Sequence, residues 1–431
     1  MAEWKAVRLE DVCQEITVGH VGPMADKYID HGIPFLRSLS IEPFRITTKG
    51  LKFIGPDFHF KLKKSALHPG DVVIVRTGKP GACAVVPDWL KEANCSDLVI
   101  VRCGPRLRPQ FLSYVVNSIA GQHIENHLVG AVQQHFNVGS ARSLVFNLPD
   151  IAEQDQIIKL LGTIDNKIEL NRQTNETLEA LARAIFKDWF VDFGPTRAKA
   201  EGRAPYLAPE LWALFPDVLD DEDKPEGWKL SEMGKEVKAV GGATPSTKQP
   251  EFWDAGEHNW ATPKDLSKLP SPVLLRTDRQ ITDEGVAKIS SGLLPVGTVL
   301  LSSRAPIGYL AIAEAPTSVN QGFIAMVCDK NLTNLFVFFW CKQHLDYIKG
   351  IAGGSTFAEI SKKVFRPIPV VVPAHKCILA FDEKVRPLYN KIVSNTKENE
   401  LLAQTRDLLL PKLMSGEIRI KDAERIVGEV T

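Results

Sequence analysis

Cysteine is sparse: the chain has seven in 431 residues, at positions 13, 83, 95, 103, 328, 341 and 377. No two stand in C-x-x-C spacing, which excludes the usual zinc-ribbon and dithiol motifs. An odd count also excludes a complete intrachain disulfide framework, so the thiols read as reduced and mostly buried in a cytoplasmic protein. Long apolar runs are missing as well. The longest, "LFVFFWC" at 335–341, is far too short to span a bilayer. The opening "MAEWKAVRLE" has no apolar signal core. Neither a membrane span nor a secretory leader is expected.

Catalytic signatures are absent too. There is no G-x-x-x-x-G-K-[ST]; "TGKP" at 77–80 lacks both the first glycine and the hydroxyl residue. There is no G-x-S-x-G elbow and no N-P-P-Y-like loop of the kind that holds a flipped base. Two look-alikes remain. "HIENH" at 123–127 puts His123 and His127 one helical turn apart, but its glutamate is misplaced for H-E-x-x-H and only His135 is near as a third ligand. "PDVLDDEDK" at 216–224 imitates a nuclease acid cluster through Asp217, Glu222 and Lys224, yet it sits in a proline-rich stretch without flanking strands.

What is present is ordinary in bulk and patterned in detail. Hydrophobic content of 44% and charged content of 24% are those of a globular protein, and the length suits two or three domains. The zero net charge conceals blocks: residues 1–150 carry 17 basic and 14 acidic side chains, 228–373 carry 16 and 13, and 151–227 carry 9 and 16. Two mildly basic modules separated by an acidic connector fit two heads that face a polyanion.

The chain repeats itself at a shift of 224. Trp4 falls over Trp228, Pro149 over Pro373, and "NKI" at 166–168 over "NKI" at 390–392. "LHPGDVVIVRTGKPGACAVVP" at 67–87 resembles "LLPVGTVLLSSRAPIGYLAIAEAP" at 293–316. Each half opens with short β-branched strands bounded by glycine and proline and closes with a long helical pattern. The stretch 194–227 reads as a linker with one short helix at "APELWALF".

Both helical patterns have unbroken heptad spacing. The first seam runs through Ile157, Leu161, Ile164, Ile168, Asn171, Asn175, Leu178, Ala182, Ile185 and Trp189; the second is the same set plus 224, from Phe381 to Leu413. Asn171 and Asn175 therefore match Asn395 and Asn399. Seam asparagines cost stability and fix register and partner. Two readings stand: each helix packs on its own domain with the asparagines exposed, or the two helices pack antiparallel with the asparagines meeting. The second creates a pseudo-two-fold axis and a rod of roughly 50 Å at 1.5 Å per residue. Pro387 is expected to kink or start the second helix, and Pro411 to disturb its last turn.

At this point the residues resemble a known family. "IFKDWFVDFGPTRAKAEG" at 185–202 is similar to the central conserved region of type I restriction–modification specificity subunits, and "LLLPKLMSGEI" at 408–418 to their distal conserved region. "LPDIAEQDQI" at 148–157 resembles the entry into their conserved helix. "NWATPKDL" at 259–266, "SSRAPIGYLAI" at 302–312 and "NQGFIAM" at 320–326 resemble the framework of their target-recognition domains. The first half, through "FLRSLSI" at 35–41 and "RTGKPGACAVV" at 76–86, fits that framework only in part.

The resemblance implies an α+β fold: two duplicated mixed α/β target-recognition domains, at 1–150 and 228–373, with two long conserved helices, at 151–193 and within 374–431, forming an antiparallel coiled coil. It implies a chain without catalysis of its own. Each head would read half of a bipartite, asymmetric site in double-stranded DNA, while the helices set the spacer and dock two methyltransferase subunits. S-adenosylmethionine, ATP and Mg would belong to those and to the restriction/translocase subunits. The competing readings are a duplicated coiled-coil adaptor that binds only protein and a single-chain nuclease.

Phosphate contacts need Lys and Arg; base reading suits Arg, Lys, Asn, Gln and small hydroxyls in loops. The candidates in the first head are Arg76 and Lys79 of "VRTGKPG" and Gln133, Gln134, His135 and Asn137 of "GAVQQHFNVGSAR". In the second they are Thr244, Ser246 and Lys248 of "GGATPSTKQ", Ser303 and Arg304 of "SSRAPIG", and Ser355, Thr356, Lys362 and Lys363 of "GGSTFAEISKK". The aromatic group Phe186, Trp189, Phe190 and Phe193 has two readings: closure of the helix end against a head, or a docking patch for a methyltransferase subunit.

Overall fold

The computed structural model describes residues 4–126, 136–353 and 358–428. Compactness divides the chain into Met1–Ile168 with Glu400–Thr431, and Glu169–Asn399. Each unit therefore combines one head with part of both long helices, which run over Ile151–Phe190 and His375–Ser415.

In the first unit the main sheet has the strand order Cys83–Val85, Val72–Val75, Leu98–Cys103, Cys13–Val18, antiparallel throughout. Val72–Val75 is buried along its whole length, as four consecutive β-branched residues would predict. A second sheet has the order Tyr28–Ile29, Lys52–Ile54, Ile33–Leu36, Ala93–Cys95, Ala66–Leu67 and contains one parallel pair, Ile33–Leu36 with Ala93–Cys95. Strands Lys5–Arg8 and Val145–Leu148 pair beside the entry to the first long helix, where Trp4 Nε1 donates to Glu153 at 3.0 Å.

The second unit repeats this plan. Its main sheet has the order Lys238–Val240, Phe323–Val327, Val299–Ser302, Leu310–Ala313, with Val273–Leu274 added at the edge. Its second sheet, Gln280–Ile281, His258–Ala261, Thr317–Val319, keeps the parallel pair. The registers superimpose. Leu98 faces Val75 as Phe323 faces Ser302, and Val145–Leu148 faces Lys5–Arg8 as Pro369–Val372 faces Lys229–Glu232. The half that fits the sequence framework only in part thus has the same core topology as the other.

The long helices pair antiparallel. In the second unit Asn171 Nδ2 donates to Asn399 Oδ1 at 2.9 Å and to Glu398 at 2.7 Å, and Asn395 Nδ2 donates to Asn175 Oδ1 at 2.9 Å. The shift of 224 exchanges the two amide pairs, so the helix pair has a local pseudo-two-fold at this point. In the first unit the seam continues through Ile157, Leu161, Ile164, Leu402, Leu409 and Leu413, all buried. There Arg406 Nη1 donates to Asp165 at 2.9 Å, its guanidinium lies 4.2 Å from the Phe44 ring centroid, and Tyr114 donates to the other Asp165 oxygen at 2.7 Å. Burial, the largest single influence, opposes the charge on Arg406, and the Asp165 and Asp407 carboxylates together more than offset it, raising the guanidinium's pKa.

Three expectations are corrected. The second long helix starts at His375, well before Pro387, so Pro387 does not start it, and the helix continues past both Pro387 and Pro411 to Ser415; each proline removes one backbone hydrogen bond, and packing along the buried seam carries the helix across. The aromatic group is no exposed docking patch. Phe186, Trp189 and Phe190 are 1%, 3% and 8% exposed, and Phe193 packs edge-on against Trp228. Phe186 touches Phe190, Phe336, Phe339 and Phe381, so these rings close the helix end into the core of the second unit. Finally, 194–227 is more than a linker. It contains helices Gly194–Ala200 and Pro209–Trp212, and it inserts Phe215 into the same core against Trp189 and Trp228.

Candidate nucleic-acid interface

In each unit the candidate loops gather at one end of the main sheet, because the strands that carry them end or begin there. In the second unit Val299–Ser302 leads into 303–308, Lys238–Val240 leads into 241–249, and 320–322 leads into Phe323–Val327. Backbone bonds knit three segments together: Ser303 N donates to Gly322 O at 2.8 Å, and Ile360 N donates to Ser303 O at 3.0 Å. Ser303 is consequently buried; its role is to hold this junction. Arg304, half-exposed, sits 3.7 Å from Glu359. Thr244 is exposed and donates to Gln321 Oε1 at 2.7 Å. The Ser246 carbonyl accepts from Trp253 Nε1 at 3.0 Å, which anchors the 241–249 loop, and Lys248 is exposed on it.

Lys362 and Lys363 open a short helix, Lys362–Phe365, capped by the Ser361 side chain. A Cβ added to Gly241 would lie 3.0 Å from Lys362 Nζ. Thr244, Ser303, Arg304 and Lys362 are thus brought to one end of the sheet. Ser355 and Thr356 lie outside the described residues.

The first unit builds the same junction from different side chains. The turn from Val75 to Gly81 closes with Gly81 N donating to Val75 O at 2.9 Å, just as Gly308 N donates to Ser302 O at 3.1 Å. Phe136 N donates to Arg76 O at 3.1 Å, the counterpart of Ile360 on Ser303. Position for position, Arg76 stands where Ser303 stands, and Thr77 where Arg304 stands. Arg76 pairs with Asp97 at 3.1 Å, and Lys79 is exposed at the turn. Asn137 caps the helix Val138–Arg142 through an Oδ1 that accepts from Ser140 N at 2.9 Å, the task Ser361 has in the second unit. Its side-chain oxygen is therefore engaged within the chain. Gln133, Gln134 and His135 lie outside the described residues, as does His127 of the "HIENH" look-alike.

The sequence reading missed the first unit's counterpart of the 241–249 loop. Gly242 and Gly19 occupy one position: a Cβ on Gly242 would meet Val319 O, and one on Gly19 would meet Cys95 O at 2.9 Å. The next residues donate to those carbonyls, Ala243 at 3.1 Å and His20 at 2.8 Å. "GHVGPMADK" at 19–27 therefore matches the loop that begins at Gly242, with exposed Lys27 on it. The only signal was the glycine, and the local shift of 223 hid it.

The two carboxylates singled out in the acid cluster, Asp217 and Glu222, are each engaged by a lysine. Asp217 binds Lys199 at 3.0 Å, and Lys224 binds both Asp220 and Glu222. Among the described residues no group of three or more His, Cys, Asp or Glu is placed to hold a metal ion, and no helix is long and apolar enough to cross a membrane.

Two copies of one α+β module, each with loops gathered at a sheet end and each sharing in a pair of long helices, define the class of protein. Residues 1–180 and 225–379 match the type I restriction modification DNA specificity domain, and the chain belongs to that family. It is similar to the HindI specificity subunit of Haemophilus influenzae, 28% identical over 65% of this chain and 70% of that one. The putative MjaX specificity subunit of Methanocaldococcus jannaschii is 22% identical over 97% of this chain and 94% of its own length. Among solved structures, the S subunit of a type I restriction-modification system from M. genitalium shares the fold, with a TM-score of 0.53 at 15% identity over 95% of this chain and 96% of that one.

Proposed function

We propose that this chain is the DNA sequence-specificity subunit of a type I restriction–modification complex, and that each head reads one half of a bipartite, asymmetric site. The observation that carries the reading is the matched loop junction: one backbone scaffold, built twice, presenting different side chains at the same positions. Thr77 against Arg304, the residues that follow the junction, are what two heads with different half-sites require, since a fixed scaffold positions and varied side chains specify.

The long helices serve as spacer and as the docking surface for two methyltransferase subunits, which restriction/translocase subunits join. The amide pairs at Asn171–Asn399 and Asn175–Asn395 support the spacer role, because buried seam amides fix register. S-adenosylmethionine, ATP and Mg are assigned to those partners, catalysis is assigned to them as well, and the assembly is placed in the cytoplasm.

The test is a base-resolution map of adenine methylation in cells carrying the partner subunits, with and without this chain. Loss of one two-part motif on deletion is expected. Replacing residues 1–150 with another head should then change one half-site only, and adding one heptad to each helix should lengthen the unread gap. An unchanged methylation map, with the partners present, would overturn the reading.

A further inference from the structure

Both units contain a cation seated on an aromatic pair at the same register position. In the second sheet of the first unit Phe35 faces Lys52; in that of the second, Trp260 N bonds Arg279 O, and the pairing of Pro34 with Phe53 matches that of Asn259 with Gln280. Lys52 and Arg279 are therefore structural equivalents, as are Phe35 and Trp260. Lys52 Nζ lies over the Tyr28 ring at 5.8 Å, and Tyr28 meets Phe35 edge-on at 6.0 Å. Arg279 lies over the Trp253 ring at 3.6 Å, and Trp253 meets Trp260 edge-on at 4.9 Å.

The aromatic under the cation comes from different places in the two units: Tyr28 belongs to a strand, whereas Trp253 follows a short 3-10 turn. What the two share is a cation at one register position over an aromatic ring that meets Phe35 or Trp260 edge-on; in the first unit Arg37 also lies over the Tyr28 ring, at 5.8 Å. Both cations are exposed, and neither has a carboxylate partner among the described residues. Each stack also underlies the loop that follows Gly19 or Gly242. Trp253 anchors the Ser246 carbonyl, and Met24 packs in one cluster with Tyr28 and Phe35.

Resting on the specificity reading above, we propose that Lys52 and Arg279 are matched DNA phosphate contacts, one in each head. The ring face holds the charge in place and lowers the entropy lost when it meets a ligand. Lysine at one site and arginine at the other share a positive charge but not a bidentate fork. A phosphate needs only the charge the two share, so the exchange fits one phosphate-contact role in both heads; a base-edge contact, which either side chain can also make, is the outcome that the scrambled duplex below separates. The exchange also suits two heads that read different sequences on the same kind of backbone.

The test uses the complex with its methyltransferase subunits and a duplex bearing the methylated motif, titrated with salt. Lys52→Gln and Arg279→Gln should each lower the slope of log affinity against log salt by about 0.9, the value for one phosphate contact. Each should weaken binding by the same factor for the motif and for a duplex scrambled in that half. Lys52→Arg and Arg279→Lys should keep the wild-type slope. An unchanged slope in both glutamine variants, or a loss confined to one half-site sequence, would overturn the assignment while leaving the specificity reading intact. A wild-type complex with no preference for the motif would remove both.

Discussion

The two units solve one packing problem with different chemistry. At the end of the helix pair in the second unit the buried positions are Phe186, Trp189 and Phe381; the first unit has Leu410, Leu413 and Ile157 at the same places, all 3% exposed or less. One core is aromatic and is finished by Phe215 and Trp228, the other aliphatic. The polar interruptions differ likewise. The first unit has Asp165 and Arg406 where the second has Tyr389 and Ala182. A buried tyrosine binds an acid in both, but the roles are exchanged: Tyr114 of the head donates to Asp165 of the long helix, whereas Tyr389 of the long helix donates to Glu314 of the head, each at 2.7 Å. Burial first, and then the adjoining carboxylate, pushes both phenols well above their ordinary pKa. Duplication has preserved positions and burial while leaving the identity of each filler free, as close packing at constant pattern allows.

The largest effect should come from breaking the aromatic core. Phe186→Ala removes a ring that meets four others and should cost the second unit about 4 kcal/mol, against about 3 for Leu410→Ala in the first. Hydrogen exchange read separately over each unit checks this; protection of the second unit that survives Phe186→Ala would mean the rings do not form its core. Next comes the polar exchange. Arg406→Ala leaves Asp165 half-buried without its cation and should cost about 2–3 kcal/mol, below the value for a fully buried pair because both partners keep some solvent contact. Arg406→Ala with Asp165→Tyr copies the pair Ala182–Tyr389 and should recover at least half of that in denaturant unfolding. A double variant no more stable than the single one would show that the two ends of the seam are not interchangeable.

How much of this was legible in the sequence depends on the length scale of the signal. The heptad seams and paired asparagines were readable because a periodic pattern was written twice, and the copies confirmed each other. One strand in each half, "DVVIV" at 71–75 and "TVLLS" at 298–302, was equally plain. The continuity of the second long helix through Pro387 and Pro411 was not, because local propensity opposes it and only tertiary packing overrides that. The burial of Phe186, Trp189 and Phe190 was ambiguous for a similar reason: an apolar helix end does not say what covers it, and the cover, Phe215, comes from a stretch that reads as linker. Within the loops, residue type pointed to chemistry but not to engagement. Ser303 and Asn137 have suitable side chains, yet one is buried in a backbone junction and the other caps a helix. Lys52 and Arg279 share no local motif; only strand register shows that they are the same position.

The smallest expected effect separates the two amide pairs of the seam, which the shift of 224 makes equivalent and the structure makes unequal. Asn171 donates to both Asn399 and Glu398, whereas Asn395 is fully buried and its Oδ1 has no hydrogen-bond partner among the described residues. A buried acceptor left unmet costs about 1–3 kcal/mol, and removing both members of such a pair is close to neutral or stabilising. Asn175→Leu alone orphans the Asn395 amide nitrogen as well and should destabilise by about 1–2 kcal/mol. Asn175→Leu with Asn395→Leu should return to wild-type stability or exceed it by about 1 kcal/mol. Asn171→Leu with Asn399→Leu removes the bond to Glu398 and should not show that gain. Equal responses from the two double variants would mean that the amides act only as register markers and contribute alike. Unequal responses, with the helix register still fixed in disulfide cross-linking, would place the register function in Asn171–Asn399 and leave Asn175–Asn395 as its less satisfied copy.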